Sequence, residues 1–198
     1  MATLVFLLGC KDSDTALKGN YALDDNSVVE WKGTMENGFN NGSFDIAENH
    51  IEVEKGQIKA GEFVIRIASI KNFNQQEPAV REQLLTHLKS DAFFNLARYP
   101  EASFKITSVN KYAGNMPDAI ANANFVITGD FSMLGKTNQI SFAAAIKLNG
   151  NKLEVEADFM IDRTRWGMDY ASDPAAEMFI HHNVGLHFKL MGYRQAGG

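Results

Sequence analysis

The chain has 198 residues and a formal net charge of −5, with no run of Lys or Arg. That argues against nucleic acid as a partner, because phosphate binding needs clustered cations. A single cysteine, Cys10, excludes an intrachain disulfide and a Cys-rich zinc site, and one domain is the default at this length.

The first nine residues, MATLVFLLG, form an apolar run too short to span a bilayer. Leu7-Leu8-Gly9-Cys10 resembles the lipobox of bacterial lipoproteins, in which the cysteine becomes the mature first residue and is acylated. On that resemblance residues 1–9 are the remnant of a signal peptide, residues 10–20 are a lipidated Cys10 with a polar tether, and residues 21–198 are one folded domain. A signal peptide opens on Lys or Arg, and residues 1–9 have neither, so the natural start is expected upstream. CKDSD is similar to the acidic signal that sends some lipoproteins to the cell surface. The implied location is the cell envelope, with acylated Cys10 anchoring the chain in a membrane. The outer membrane is expected, facing the periplasm or the outside.

From Asn26 the chain reads as strand after strand. Val29, Trp31 and Gly33 alternate with Val28, Glu30 and Lys32. Phe44 and Ile46, then Ile51 and Val53, keep period two. Phe63, Ile65 and Ile67 oppose Glu62 and Arg66. Between Pro78 and Phe94 the pattern changes: Val80, Leu84, Leu85 and Leu88 recur at helical spacing, with Pro78 suited to a helix start and Ser90-Asp91 to its end. Period two returns with Ala102, Phe104 and Ile106, then with Phe125, Ile127, Gly129 and Phe131. It continues through Ile140, Phe142, Ala144, Ile146 and Leu148. After the hairpin signal Asn149-Gly150 come Leu153, Val155, Ala157, Phe159 and Ile161, and finally Val184, Leu186, Phe188 and Leu190.

Strict alternation over about eight segments signals antiparallel strands, wet on one face and dry on the other. One helical connector cannot cover so much dry surface, so the sheet must close into a barrel or fold into a sandwich, and closure is the economical answer. An eight-stranded barrel is either filled by side chains or holds one small ligand. The small inward residues Gly33, Gly129, Ala144 and Ala157 leave room or accommodate Phe, and composition does not choose between these.

HLKSDAFFNLARYPEASFKITSV, residues 87–109, resembles the most diagnostic segment of the YceI-like family of bacterial polyisoprenoid-binding proteins. SVVEWKG fits the family's first strand, GDFSMLGKTNQISF a hairpin, and FMIDRTRWGMDY its Arg-aromatic-Gly segment. The resemblance runs from about Tyr21 to Leu190. It implies an all-β fold: an extended eight-stranded antiparallel lipocalin-like barrel with one or two short helices in a connector. The implied ligand is a polyisoprenoid or isoprenoid quinone held in the barrel, with a role as carrier or reservoir and no established catalytic residues. An enzyme acting on such a lipid, or an interaction module with a filled core, are the alternatives. An enzyme needs a titratable group inside, and the inward positions are nearly free of them. The oligomeric state is left open, a dimer included.

The ligand-contacting candidates are Trp31, Phe93, Phe94, Phe104, Phe125, Ile127, Phe131, Phe142, Phe159, Trp166 and Phe188. By the resemblance, Phe93 and Phe94 lie where the connector packs on the barrel, one turned to the core and one to the cavity mouth, or both sealing it. His181-His182 does not suggest a metal site, because neighbours on a strand point to opposite faces. Asp162, Arg163 and Arg165 are expected either to form an ion-pair network closing a barrel end or to touch a quinone headgroup.

Overall fold

The computed structural model describes residues 18–196; residues 1–9, Cys10 and the tether before Lys18 lie outside them. The strands are β1 (Gly19–Leu23), β2 (Val28–Met35), β3 (Gly38–Glu54), β4 (Gln57–Arg66), β5 (Lys71–Asn72), β6 (Glu101–Lys111), β7 (Phe125–Met133), β8 (Lys136–Asn149), β9 (Lys152–Asp162) and β10 (Ile180–Arg194). One α-helix, α1 (Pro78–Lys89), lies between β5 and β6.

Strands β2, β3, β4, β6, β7, β8, β9 and β10 pair in that order, and β10 returns to β2, which closes an eight-stranded antiparallel barrel. Strand β1 shares the slot of β2, since both pair with β10 and β3. The short β5 extends β3 at Gly42 and Ser43. A side chain on Gly42 has no space there, because its Cβ would fall 1.7 Å from the Lys71 carbonyl oxygen.

The local chemistry matches the sequence signals. The β8–β9 turn is the two-residue loop Gly150-Asn151, with Gly150 at φ 61°, the geometry that lets a tight hairpin follow the strand twist. Helix α1 begins on Pro78 and ends where the Ser90 hydroxyl donates to the His87 carbonyl at 2.7 Å.

The topology sends the β2–β3 turn, the β7–β8 turn, the connector carrying α1, and residues 163–179 to one end, taken as the upper. The β3–β4 and β8–β9 turns, and both ends of the described chain, lie at the other. The two halves are filled differently. Around the waist Phe63, Phe104, Phe142, Phe159 and Phe188 form one aromatic cluster. Phe142 and Phe159 stack at 4.1 Å, and Phe188 meets both edge-on, the arrangement that ring quadrupoles favour. Below them Tyr21, Ile51, Val53, Leu153, Val155 and Leu190 complete a packed core. Above them the interior opens.

Candidate ligand-binding cavity

The upper half of the barrel encloses a cavity of about 130 Å3 with an open mouth, smaller than the roughly 300–1,000 Å3 usual for clefts that take a whole ligand. Its wall comes from the inward faces of strand ends: Val29, Trp31, Gly33 and Met35 on β2, Phe44 on β3, Ile65 on β4, Phe131 and Met133 on β7, Ile161 on β9, and Val184 and Leu186 on β10. Among the described residues, Asn40 and Arg163 are the only lining ones with amide or charged side chains. Three methionines, Met35, Met133 and Met168, line it. Their flexible thioethers let one wall fit differently shaped chains.

Helix α1 and the turn after it roof one side. Leu84 and Leu88, four residues apart, share a helix face and line the cavity with Phe93 and Phe94. The turn is held by backbone bonds from Phe93 N to Ser90 O and from Phe94 N to Leu88 O. Adjacent rings then diverge: Phe94 meets Phe44 edge-on at 5.4 Å, while Phe93 packs against His87 and Tyr170, each at 5.1 Å. His87 and Tyr170 are themselves 4.8 Å apart, so this trio ties the α1 region to the segment from 163 to 179. Both phenylalanines face the cavity, which answers the two-surface expectation: they share the cavity and differ in the neighbour behind it.

Arg163 closes the opposite side. It is 2% exposed. Its Nε donates to the His181 carbonyl at 3.2 Å, its Nη2 to the Ile180 carbonyl at 2.7 Å, and its Nη1 to the Met168 carbonyl. Burial pulls its pKa below the usual guanidinium value, and the planar fork still holds its charge. The expected ion-pair network is therefore replaced by a cation bonded to backbone carbonyls. Asp162 instead accepts from the Thr164 amide at 3.0 Å and the Thr164 hydroxyl at 2.6 Å. These bonds, the hydroxyl's first, hold its carboxyl below the usual range. Arg165 lies 5.4 Å from the Trp166 ring. The difference arises because the segment after Asp162 turns back at Gly167 (φ 81°) and presents carbonyls, not carboxylates, to the guanidinium.

Of the sequence candidates, Trp31, Phe93, Phe94 and Phe131 line this cavity. Phe104, Phe142, Phe159 and Phe188 form the aromatic waist beneath it. Ile127 is buried lower on β7, and Phe125 starts that strand at the lower end, half-buried. Trp166 stands behind Phe131: its ring meets Phe131 at 5.4 Å and its Nε1 donates to the Phe131 carbonyl at 2.9 Å. Lining residues that were not among the ligand-contacting candidates include Met35, Met133, Met168, Leu88 and Ile180. Their shared signal is position at a strand or helix end on the upper side, which becomes visible once strand direction is known.

The cavity offers hydrophobic burial and almost no proton chemistry. His182 lies on the inward parity near the top, and its Nε2 meets the Ser172 carbonyl at 2.7 Å. Among the described residues no cluster of His, Cys, Asp and Glu is arranged to hold a metal ion.

Comparison with known proteins gives a consistent picture. The family model for the YceI-like domain matches residues 21–191. The structure of BcnA from Burkholderia cenocepacia superposes with a TM-score of 0.67 at 15% identity, covering 86% of this chain and 99% of that one. A polyisoprenoid binding domain from Saccharophagus degradans, implicated in plant cell wall breakdown, gives 0.63 at 14% identity, covering 88% and 98%. The YceI protein of Campylobacter jejuni gives 0.53 at 17% identity, covering 98% and 92%. At these identities the likeness establishes the shared fold. No curated protein sequence matches the chain significantly.

Proposed function

We propose that this chain, which belongs to the YceI-like family, takes the tail of an isoprenoid lipid, a polyisoprenoid or an isoprenoid quinone, into the upper cavity and serves as its carrier or reservoir in the bacterial cell envelope. The observation that carries this reading is the cavity wall, apolar at nearly every position and open at one end. The ligand of the Saccharophagus degradans domain supports the choice of lipid class. Each buried methylene contributes about 0.8 kcal/mol, so a five-carbon isoprenoid unit contributes about 4 kcal/mol gross, before the cost of association. A chain of a few such units binds without any headgroup contact. Among the described residues the wall holds no carboxylate or imidazole, and a hydrolase or isomerase needs such a group within reach of its substrate, so binding is favoured over catalysis.

The anchor belongs to the same proposal. Cys10, in Leu7-Leu8-Gly9-Cys10, is acylated and holds the barrel at a membrane, the outer membrane by preference, on its periplasmic or outer side.

The test is uptake. Delipidated protein is titrated with an isoprenoid quinone and with a solubilised polyisoprenoid alcohol. Saturation at one molecule per chain is expected for at least one of them. No uptake of either overturns the proposal.

A further inference from the structure

We infer that the upper rim of the barrel is a docking surface for a lipid bilayer of zwitterionic headgroups, and that cargo crosses there directly between membrane and cavity. This rests on the reading that the cavity holds a lipid tail.

Among the described residues six large apolar side chains are exposed, and four of them, Phe39 (44%), Phe73 (51%), Val80 (45%) and Met178 (54%), sit on the upper end. They come from separate segments, and three of them adjoin cavity-lining residues along the chain. Phe39 precedes Asn40, Val80 is one helical turn before Leu84, and Met178 is two residues before Ile180. Phe73 is held beside Phe39 because its amide donates to the Asn41 carbonyl at 2.9 Å while Asn74 Nδ2 donates to the Phe39 carbonyl at 2.8 Å. These exposed apolar side chains thus stand on segments that also form the mouth of the cavity. A group of exposed apolar side chains rimmed by polar residues is the kind of surface that marks an interaction site.

Three observations select a bilayer as the occupant. The cavity's cargo is itself a membrane component under the proposed function. Lys32 holds its Nζ 4.6 Å from the Phe39 ring centroid, which places a cation beside an apolar anchor, as interfacial side chains do. Both signs of charge share the rim, Lys32 and Arg81 with Glu36, Glu77 and Glu177. That complements headgroups carrying both signs and lacks the cationic excess that anionic surfaces attract. The described chain begins at the lower end, where Gly19 of β1 pairs with Val53 of β3.

The experiment uses the full chain carrying Cys10→Ser, so that no acyl group contributes, in flotation with phosphatidylcholine vesicles. Co-flotation is expected. It should fall at least tenfold on adding Phe39→Ser with Phe73→Ser, and stay unchanged with Met160→Ser, an exposed apolar residue on the barrel flank. The rim variant should still take up quinone from detergent micelles, which separates failure of docking from failure of the cavity reading. Both rim residues are exposed, so a thermal melt within a few degrees of the parent is expected. Absence of vesicle binding by the parent overturns the inference. So does a gain of tenfold or more with anionic vesicles, which would assign the rim to charge attraction. If sedimentation velocity shows a dimer that the rim variant dissolves, with vesicle binding unchanged, the surface is an interface between copies and the inference also fails.

Discussion

Gly33→Phe separates a ligand cavity from a packed core in one substitution. Gly33 lies on β2 between Val184 of β10 and Asn40 of β3, and it lines the cavity. A Cβ at this position meets no atom within 4 Å. A phenylalanine there extends into open space within a mainly apolar cavity. Burying the ring contributes about 1.5–3 kcal/mol, and removing a glycine from a strand interior adds about 0.5–1 kcal/mol. Stability of the lipid-free protein should therefore hold or rise by up to about 4 kcal/mol, while quinone affinity drops at least tenfold because the ring takes the ligand's space. Gly129 is the contrast. Its Cβ would fall 2.4 Å from the Phe104 ring, so Gly129→Ala should cost about 1–3 kcal/mol through overpacking and leave affinity near the parent value. Urea unfolding of delipidated protein, beside quinone titration, measures both. If Gly33→Phe destabilises like Gly129→Ala and binding is unchanged, the upper cavity is not where lipid sits.

Removing Arg163 tests the cavity's closure. Arg163→Met leaves the carbonyls of Met168, Ile180 and His181 without this donor, and a buried unpaired group costs about 1–3 kcal/mol. A total loss of about 3–5 kcal/mol is expected, with amide exchange rising in residues 163–181 before it rises in β3. Unchanged exchange there would mean the guanidinium does not hold the segment. Asp162 gives a pH signature. Its folded-state pKa lies below its unfolded value, so its stabilising contribution is complete above about pH 4 and is lost as pH falls through the folded value. The stability gap between wild type and Asp162→Asn should be present at pH 7 and shrink by pH 3; an equal gap at both rules out the charge as its source. Cys10→Ser, expressed from the full natural start, should move the protein from the membrane fraction to the soluble fraction, and fractionation like wild type would refute acylation at Cys10.

The barrel was legible because its signal is simple. Alternating wet and dry positions in β9, from Leu153 to Ile161, match an alternation of buried and exposed side chains, and only closure hides that face on eight strands. The alternation itself indicated about eight strands; the family resemblance added the lipid and the place of Phe93 and Phe94 beside the barrel. Which phenylalanines face the cavity was less legible, because parity tells inside from outside but not height along the barrel. Phe131 and Phe104 are cross-strand partners, yet only Phe131 lines the cavity. Bulges add to the difficulty. The register shift between Ile106 and Ser108 moves the inward side of β6 from even to odd positions, so that Val109 packs against the core. A similar shift in β3 separates Phe44 and Ile46 from Ile51 and Val53. Gly33 and Gly129 look alike in sequence, and only the facing neighbour decides that one leaves room and the other makes way for a ring. The carbonyl cradle of Arg163 was hidden for a different reason. Backbone acceptors carry no side-chain signature, so DRTRW suggested ion pairs.

The account stands or falls on what the barrel carries in the cell. Protein purified natively, without added lipid, is extracted with organic solvent and the extract weighed by mass spectrometry. An isoprenoid mass series at close to one molecule per chain is the expected result, with the amount reduced at least tenfold in Gly33→Phe. An extract that contains only bulk phospholipid, in equal amounts from both proteins, contradicts it.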